Sequence, residues 1–517
     1  MFSCEKYFHE EATSLGKIET VEALEDATQG VYAKLAEALS TDNGINVIMS
    51  PNIKGDDINL GSENYQEYYS NEPDCWELSG QTLENYSSSQ NYPWKVLYQV
   101  IVSANNILKQ FTISETENTE ISHLLGEVIF LRAYCFFRLT RTYGQIPIIT
   151  DTEISYQVKL ADFETIYSFL EQELKQSSDL LPENTDEARI PYITVHKGVA
   201  LALLAEVYLH WAGYPIKENE KYRLAAQTAL GVIDSADYYG FQLQEDFADV
   251  WDNNIHRNPE SIFSIYFENA EDATSLGEAS LLMYIGFSYI INITGSFSSE
   301  STKNILLNFY PAEIRFFNQY PSSYRKDITF FKDIYFPDQS DTTHKEINEV
   351  GSCSRIAYRK FIYNELALSP EQFNINFPIV NYLFGLNKVY IYRYAHTLLT
   401  YAEASARAGE LNEKSYECVN MIRRRAHNVN LYSTSRFDLQ PGLSTDVFAD
   451  SVVWERAWEF AGEHEGRWFD LVRLEMVENL VSLRDPNEQG PPFNLNESNY
   501  YFKIPEEDFL FITDITN

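Results

Sequence analysis

The chain has 517 residues, of which 44% are hydrophobic and 15% aromatic, so it can build a large core and is not intrinsically disordered. Its formal net charge of −37 repels phosphate backbones, and we expect no nucleic-acid partner. The five cysteines are scattered without a C-x-x-C pair, and we expect no metal or cofactor. No apolar run reaches the length of about 18 residues that a membrane-spanning helix needs.

Apolar residues recur at helical spacing in a series of segments that end near Gly or Pro. Trp94 lies on such an apolar face and is therefore assigned to the core. Residues 261–267 alternate like a strand instead. The predicted helices are 20–39, 94–110, 121–143, 162–181, 194–212, 220–235, 389–408 and 413–427.

Two of these helices share a pattern of small residues. L-L-A-E-V-Y-L-H-W-A-G lies in 194–212 and L-L-T-Y-A-E-A-S-A-R-A-G in 389–408, and a second helix follows each. Each pair forms a unit of about 34 to 40 residues, the size of a tetratricopeptide-type repeat. Segments around Gly126 and at 452–474 echo the pattern, which predicts about four degenerate hairpins.

The sequence therefore predicts a mainly α fold in which tetratricopeptide-like hairpins form a bundle. Residues 1–20 are expected to be an N-terminal tether, and residues 21–265 and 386–517 a discontinuous helical core. Residues 266–385 are rich in Ser, Asn, Gly and Pro. This composition predicts an irregular, loop-rich lobe with a few short strands.

The stretch 452–474, V-V-W-E-R-A-W-E-F-A-G-E-H-E-G-R-W-F-D-L-V-R-L, predicts one long helix that is apolar over more than half of its circumference. Charges on such a buried helix need partners. The spacing suggests Glu463 with Arg467 and Asp470 with Arg473, and Arg132, Arg138 and Arg141 are candidate partners from helix 121–143. The predicted structural ion-pair network consists of Glu455, Glu459, Glu463, Arg467, Asp470, Arg473 and Arg132.

A catalytic interpretation of this stretch would make Glu455 and Glu463 a general acid and base. Eight residues of helix separate them by about 12 Å, too far for the hydrolysis of a glycosidic bond. We therefore favour a structural role. On this interpretation, loss of Arg467 lowers stability and leaves ligand affinity almost unchanged.

Ligand contacts are expected from the loop at 43–92 and from the irregular lobe, because aromatic rings stack on sugars while short polar side chains bind hydroxyl groups. Trp76 is the strongest candidate. Each ring has an alternative interpretation as packing beneath its own loop. The candidate ligand-binding residues are Trp76, Asp56, Asn59, Tyr65, Tyr68, Tyr69, Tyr284, Tyr289 and Tyr320.

Several stretches in one order resemble the SusD/RagB-like outer-membrane nutrient-binding lipoproteins over nearly the whole length. They include W-K-V-L-Y-Q-V-I-V-S-A-N-N-I-L from Trp94, G-E-V-I-F-L-R-A-Y from Gly126, W-E-R-A-W-E-F-A-G from Trp454 and R-W-F-D-L-V-R from Arg467. The segment 463–467 is one residue longer than the common Glu-Gly-x-Arg spacing of the family, which indicates a local bulge.

The resemblance implies a protein without catalytic activity on the cell surface. It implies a lipid anchor on Cys4 in the outer membrane and delivery of oligosaccharides to a SusC-like TonB-dependent transporter. A peptide ligand in the same uptake architecture is the main alternative. A tetratricopeptide-type scaffold and a glycan hydrolase are less favoured, the latter because neither G-x-S-x-G nor H-E-x-x-H occurs.

Overall fold

The fold is that of a computed structural model, which describes residues 16–39, 54–58, 93–113, 118–151, 158–252, 255, 257–266, 289–290, 306–307, 312–331, 333–337, 342–346, 356–361, 388–485, 495–502 and 504. The described part is mainly helical, as predicted. Its helices are α1 (Val21–Leu39), α2 (Pro93–Leu108), α3 (Thr119–Tyr143), α4 (Phe163–Leu180), α5 (Lys197–Trp211), α6 (Glu220–Asp234), α7 (Ala236–Tyr239), α8 (Ile314–Gln319), α9 (Tyr324–Thr329), α10 (Tyr394–Arg407), α11 (Glu413–Ala426), α12 (Thr445–Glu459), α13 (Arg467–Arg473) and α14 (Leu480–Leu483).

The long helices stack in chain order. Helix α1 packs on α2 and α3, α3 on α4, α4 on α5, and α5 on α6. Helix α10 then packs on α6, on its hairpin partner α11 and on α12. This stack, in which helices that follow one another along the chain pack together, confirms the prediction of tetratricopeptide-like hairpins.

Local sequence signals explain where these helices begin and which face they bury. Asn118 caps α3 by accepting a hydrogen bond from the Glu120 N–H at 2.9 Å, and Asp162 caps α4 through the Thr165 N–H at 2.7 Å. In α2 the apolar positions Trp94, Leu97, Tyr98, Ile101 and Ala104 are buried, and Leu108 is partly buried. Burial of such stripes is the main source of stability for a helical stack.

The strands form short antiparallel pairs, β1 with β8, β2 with β3, β4 with β7 and β5 with β6. Every residue of β8 is buried, and β8 leads directly into α10. The predicted strand at 261–267 is confirmed as β1, whereas the predicted helix at 389–408 is wrong in its first residues, which form β8. The strands are β1 (Ser261–Tyr266), β2 (Tyr289–Ile290), β3 (Leu306–Leu307), β4 (Phe330–Phe331), β5 (Asp333–Pro337), β6 (Thr342–Glu346), β7 (Ala357–Tyr358) and β8 (Lys388–Arg393).

The predicted single helix at 452–474 is wrong, because α12 ends at Glu459 and α13 begins only at Arg467. Gly462 in the connection has a φ of +72°, a left-handed conformation that favours glycine. A Cβ atom at this position would lie 2.9 Å from the Tyr358 ring. The chain therefore turns here between two buried helices, and the turn brings polar backbone groups into the interior.

Among the helices of the described ranges, none combines the length and the hydropathy required to cross a bilayer.

Candidate functional site

A buried ion-pair cluster lies where α12 meets β1, β8 and α11. Arg393, at the end of β8, donates hydrogen bonds to Glu463 at 2.9 and 2.8 Å, to Glu459 at 2.9 Å and to Glu260 at 2.5 Å. Arg425 contacts the same Glu459 at 2.7 Å and also contacts Glu260. We call Glu260, Arg393, Arg425, Glu459 and Glu463 the central cluster.

Further cations complete the surroundings of these acids. Arg325 donates to Glu459 at 2.8 Å and to Glu455 at 2.7 Å, and Lys360 contacts Glu463 at 2.7 Å. The expected pair of Glu463 with Arg467 does not form, because the turn around Gly462 separates the two helices and directs Glu463 to Arg393 and Lys360.

The electrostatics of the cluster differ from those of a catalytic acid. Burial alone would raise the pKa of Glu459, but the guanidinium groups of Arg425, Arg393 and Arg325 outweigh it and hold that pKa well below the usual range. The pKa of Glu463 is also lowered, because Arg393 and Lys360 outweigh its burial. A general acid needs a raised pKa, so these carboxylates act as counterions for buried cations.

A second group of ion pairs joins α13 to the helical stack. Asp470 accepts hydrogen bonds from Arg456 at 2.9 Å and from Arg473 at 2.9 Å, the latter being the pair that the spacing predicts. Arg473 also binds Glu403 of α10 at 2.7 and 2.6 Å. Arg456 reaches Glu206 of α5 at 2.9 Å. These contacts connect elements that are far apart in sequence.

The arginines of α3 have two different roles. Arg132 does not reach the C-terminal acids, because it binds Glu173 of the neighbouring α4 with two bonds of 2.8 Å. Arg138 and Arg141 do reach that region, where they contact Glu465 at 3.1 and 2.5 Å. The expected role of Arg132 is therefore corrected to a brace between α3 and α4.

Residues 54–58 are held against the turn between α12 and α13. Arg467 donates to both carboxylate oxygens of Asp56, at 2.8 and 3.2 Å, and the Gly462 N–H donates to Asp57 Oδ2 at 2.9 Å. Asp56 is only 1% exposed. The prediction that Asp56 binds a ligand is therefore wrong, because both of its oxygens are engaged inside the protein.

The backbone of the same segment is held as well. The Tyr358 hydroxyl donates to the Asp57 carbonyl at 2.8 Å, and the Glu313 N–H donates to the same oxygen at 2.9 Å. Arg484 donates to the carbonyls of Gly55 and, at 2.9 Å, Ile58. An isolated antiparallel bridge pairs Ile58 with Ala312.

Within this segment, the environment of Asp57 disfavours the charged form of its carboxyl group. Burial and the adjacent Asp56 carboxylate raise the pKa of Asp57 to about 6, although the Gly462 N–H and Arg467 oppose the rise. Its Oδ1 atom is buried without a hydrogen-bond partner among the described residues. The ionised form is therefore poorly stabilised here.

The structure also settles the position of Tyr320, which is buried and donates from its hydroxyl to the Trp458 carbonyl at 2.6 Å. The prediction that Tyr320 binds a ligand is wrong, because its ring packs on Phe330 and its polar group is satisfied internally. Tyr289 lies in β2, but its side chain is outside the described part. The predicted residues that lie wholly outside the described ranges are Trp76, Asn59, Tyr65, Tyr68, Tyr69, Tyr284 and Cys4.

Sequence analysis does not identify three residues that hold segment 54–58, namely Glu313, Tyr358 and Arg484. Each is hundreds of positions away from its partner in this segment, so no local spacing could indicate the contact. Within the ranges that the structure describes, no group of three or more His, Cys, Asp or Glu side chains is arranged to hold a metal ion.

Family models and known proteins match the chain in sequence. A family model described as "Starch-binding associating with outer membrane" matches residues 18–209, and the model of the SusD family matches residues 373–508. SusD-like protein P2 of Formosa agariphila is 23% identical over 95% of this chain and 90% of its own length. SusD-like protein P25 of the same organism is 24% identical over 98% and 93%.

Solved structures share the fold. A SusD homologue from Bacteroides thetaiotaomicron superposes with a TM-score of 0.73 at 21% identity, covering 98% of both chains. Surface glycan-binding protein A from the same organism, in complex with laminarihexaose, has a TM-score of 0.66 at 18% identity and covers 94% of this chain and 97% of its own.

Proposed function

The chain belongs to the SusD/RagB-like family, and from this premise we propose that it binds oligosaccharides at the cell surface without turning them over. The bound glycan then passes to a SusC-like TonB-dependent transporter in the outer membrane. Membrane attachment is through a lipid on Cys4. The high negative charge of the chain favours neutral glycans over strongly anionic ones.

The observation that carries the proposal is the bridge between Ile58 and Ala312. Ile58 directly precedes Asn59, where the aromatic stretch starts, and Ala312 follows the lobe segment that contains Tyr284 and Tyr289. The two stretches proposed to contact the ligand thus leave the rigid core side by side. Loops held on a rigid scaffold are favourable places for ligand recognition.

Seven of the candidate residues remain in the proposed binding surface after the removal of Asp56 and Tyr320. Aromatic rings would stack on the faces of sugar rings, and the amide of Asn59 would bind hydroxyl groups. Trp76 is the residue from which we expect the largest contribution. The proposed ligand contacts are Trp76, Asn59, Tyr65, Tyr68, Tyr69, Tyr284 and Tyr289.

The absence of turnover is supported by the ion pairs of the acids at the C-terminal turn. Glu459 and Glu463 are buried and bound to two or more cations each. Neither acid is available to protonate a glycosidic oxygen while those contacts persist. The proposal therefore predicts that prolonged incubation with a bound oligosaccharide releases no new reducing ends.

Calorimetry of the purified chain against a panel of neutral oligosaccharides and peptides tests the proposal. Laminarihexaose is the first probe, because surface glycan-binding protein A is known in complex with it. Saturable heat from an oligosaccharide and none from the peptides is the expected result. Binding of peptides alone would instead support the peptide-uptake alternative, and new reducing ends would support the hydrolase.

Two cellular experiments address the anchor and the partner. Replacement of Cys4 by Ala should move the protein from the membrane fraction to the soluble fraction. Copurification of the wild-type protein with an outer-membrane transporter would support delivery. Wild-type protein that remains soluble, or that copurifies with no transporter, would contradict these parts of the proposal.

A further inference from the structure

Three segments that are distant in sequence meet at one buried place. Residues 54–58 pair with residues 312–313 through the Ile58 bridge and the bond from the Glu313 N–H to the Asp57 carbonyl. Residues 484–485 join them, because the Asp485 N–H donates to Glu313 Oε1 at 2.5 Å and Arg484 binds carbonyls of 54–58. We call these three segments the anchor node.

Residues of the anchor node are buried and hydrogen-bonded to other parts of the protein. Ile58 and Glu313 are 0% exposed. The second oxygen of Glu313 accepts from the Phe316 N–H at 2.8 Å, which caps α8. Arg467 attaches Asp56 to the first turn of α13. Because each segment contacts the other two, release of one removes hydrogen-bond partners from both of the others.

The anchor node adjoins one end of each of the two stretches that are proposed to contact the ligand. One proposed ligand stretch starts immediately after Ile58, and the other ends immediately before Ala312. One end of each stretch is therefore held beside one end of the other by contacts within the node, and Arg467 and the Gly462 N–H attach residues 54–58 to the turn between α12 and α13.

We propose that the anchor node couples the two ligand stretches, and that Asp56 and Arg484 are positioning residues for ligand binding. This inference rests on the proposed function. Neither residue touches the ligand. Each holds in place the described residues from which a stretch continues, which reduces the conformational entropy that is lost when the ligand binds. The inference also revises the expectation that Arg467 leaves affinity unchanged, because Arg467 holds Asp56.

Hydrogen exchange of three amides tests the coupling without any ligand. The Gly462, Glu313 and Asp485 N–H groups each donate to an acceptor in the anchor node. In Asp56→Asn, the neutral amide no longer pairs with Arg467. We expect all three amides to exchange about tenfold faster or more, since they open as one unit.

Glu173→Gln is the matched control. Glu173 is also buried and is also bound by two guanidinium bonds, from Arg132, but it lies between α3 and α4. We expect exchange of the three node amides to stay unchanged in this variant. Faster exchange of the Gly462 amide alone in Asp56→Asn, or equal acceleration in both variants, would overturn the coupling.

Calorimetry with laminarihexaose then tests positioning. We expect Asp56→Asn to bind about tenfold more weakly and Glu173→Gln to bind like the wild type. Arg484→Met removes the Nη1 atom that donates to the carbonyls of both Gly55 and Ile58, so it provides a second variant with the same expected loss if Asp56→Asn folds poorly.

The two proposals fail in different ways. If both node variants bind the oligosaccharide with the affinity of the wild type, the positioning role is overturned and the proposed function stays intact. A wild-type chain that binds no oligosaccharide of the panel would overturn the proposed function and with it the positioning role. The exchange experiment would still decide whether the anchor node couples its three segments.

Discussion

Replacement of Arg393 by Met removes the cation at the middle of the central cluster while keeping much of the side-chain volume. Arg393 is 0% exposed and contacts three carboxylates, those of Glu260, Glu459 and Glu463. Its guanidinium also lies 5.1 Å from the centre of the Phe460 ring. The substitution therefore leaves buried acids with fewer counterions and leaves the cluster without its link to β8.

The expected loss in the free energy of unfolding depends on which cations remain beside the buried acids. Removal of one member of a buried ion pair typically costs about 3–5 kcal/mol, because the other charge stays buried. Glu459 keeps Arg325 and Arg425, and Glu463 keeps Lys360. We therefore expect a loss near the lower end, about 3 kcal/mol, which is a large part of the roughly 5–15 kcal/mol that stabilises a typical domain.

Unfolding in guanidinium chloride measures this loss as a lower midpoint at an unchanged slope. Arg223→Met is the control, because the Arg223 side chain is 45% exposed and its pairs with Glu220 and Glu410 lie at the surface. No measurable change is expected for that variant. A loss below about 1 kcal/mol for Arg393→Met would refute the view that the cluster stabilises the fold as a buried unit.

Two further predictions concern the segment beside the C-terminal turn. Because the pKa of Asp57 is raised from 3.8 to about 6, its contribution to stability falls as the pH rises through that window, by about 3 kcal/mol at 1.36 kcal/mol per pKa unit. Asp57→Asn should therefore gain stability relative to the wild type between about pH 4 and pH 7, and a pH-independent difference would contradict this. Gly462→Ala should cost at least about 1–2 kcal/mol in denaturant unfolding, because the left-handed backbone and the Tyr358 ring both oppose a Cβ. Gly231→Ala in α6, where a Cβ meets nothing within 4 Å, should be neutral or stabilising.

The helical stack could be predicted because its signals are local. The apolar face of α2 and the Gly or Pro residues near helix ends are recognised from residues a few positions apart. Strand β8 cannot be predicted in the same way. Its residues continue the apolar pattern of α10, and what makes them a strand is pairing with β1, more than 100 positions earlier.

The same limit applies to the candidate site. The need of the C-terminal acids for cations was evident from the sequence, but the choice of partner was not. Glu463 binds Arg393 rather than Arg467 because a turn replaces the expected helix. The polar, aromatic stretch around Asp56 predicts a ligand contact, whereas its partner in the structure is Arg467, 411 positions away.

The most direct test of the proposed function is a titration of laminarihexaose, or of the tightest oligosaccharide in the panel, into Trp76→Ala and into the wild type. Trp94→Phe is the control, since Trp94 is buried in the core at 1% exposure. We expect affinity to fall about tenfold or more in Trp76→Ala, as for a principal aromatic contact, and to stay unchanged in Trp94→Phe. Equal affinity of Trp76→Ala and the wild type would contradict the assignment of glycan recognition to the aromatic stretch after Ile58.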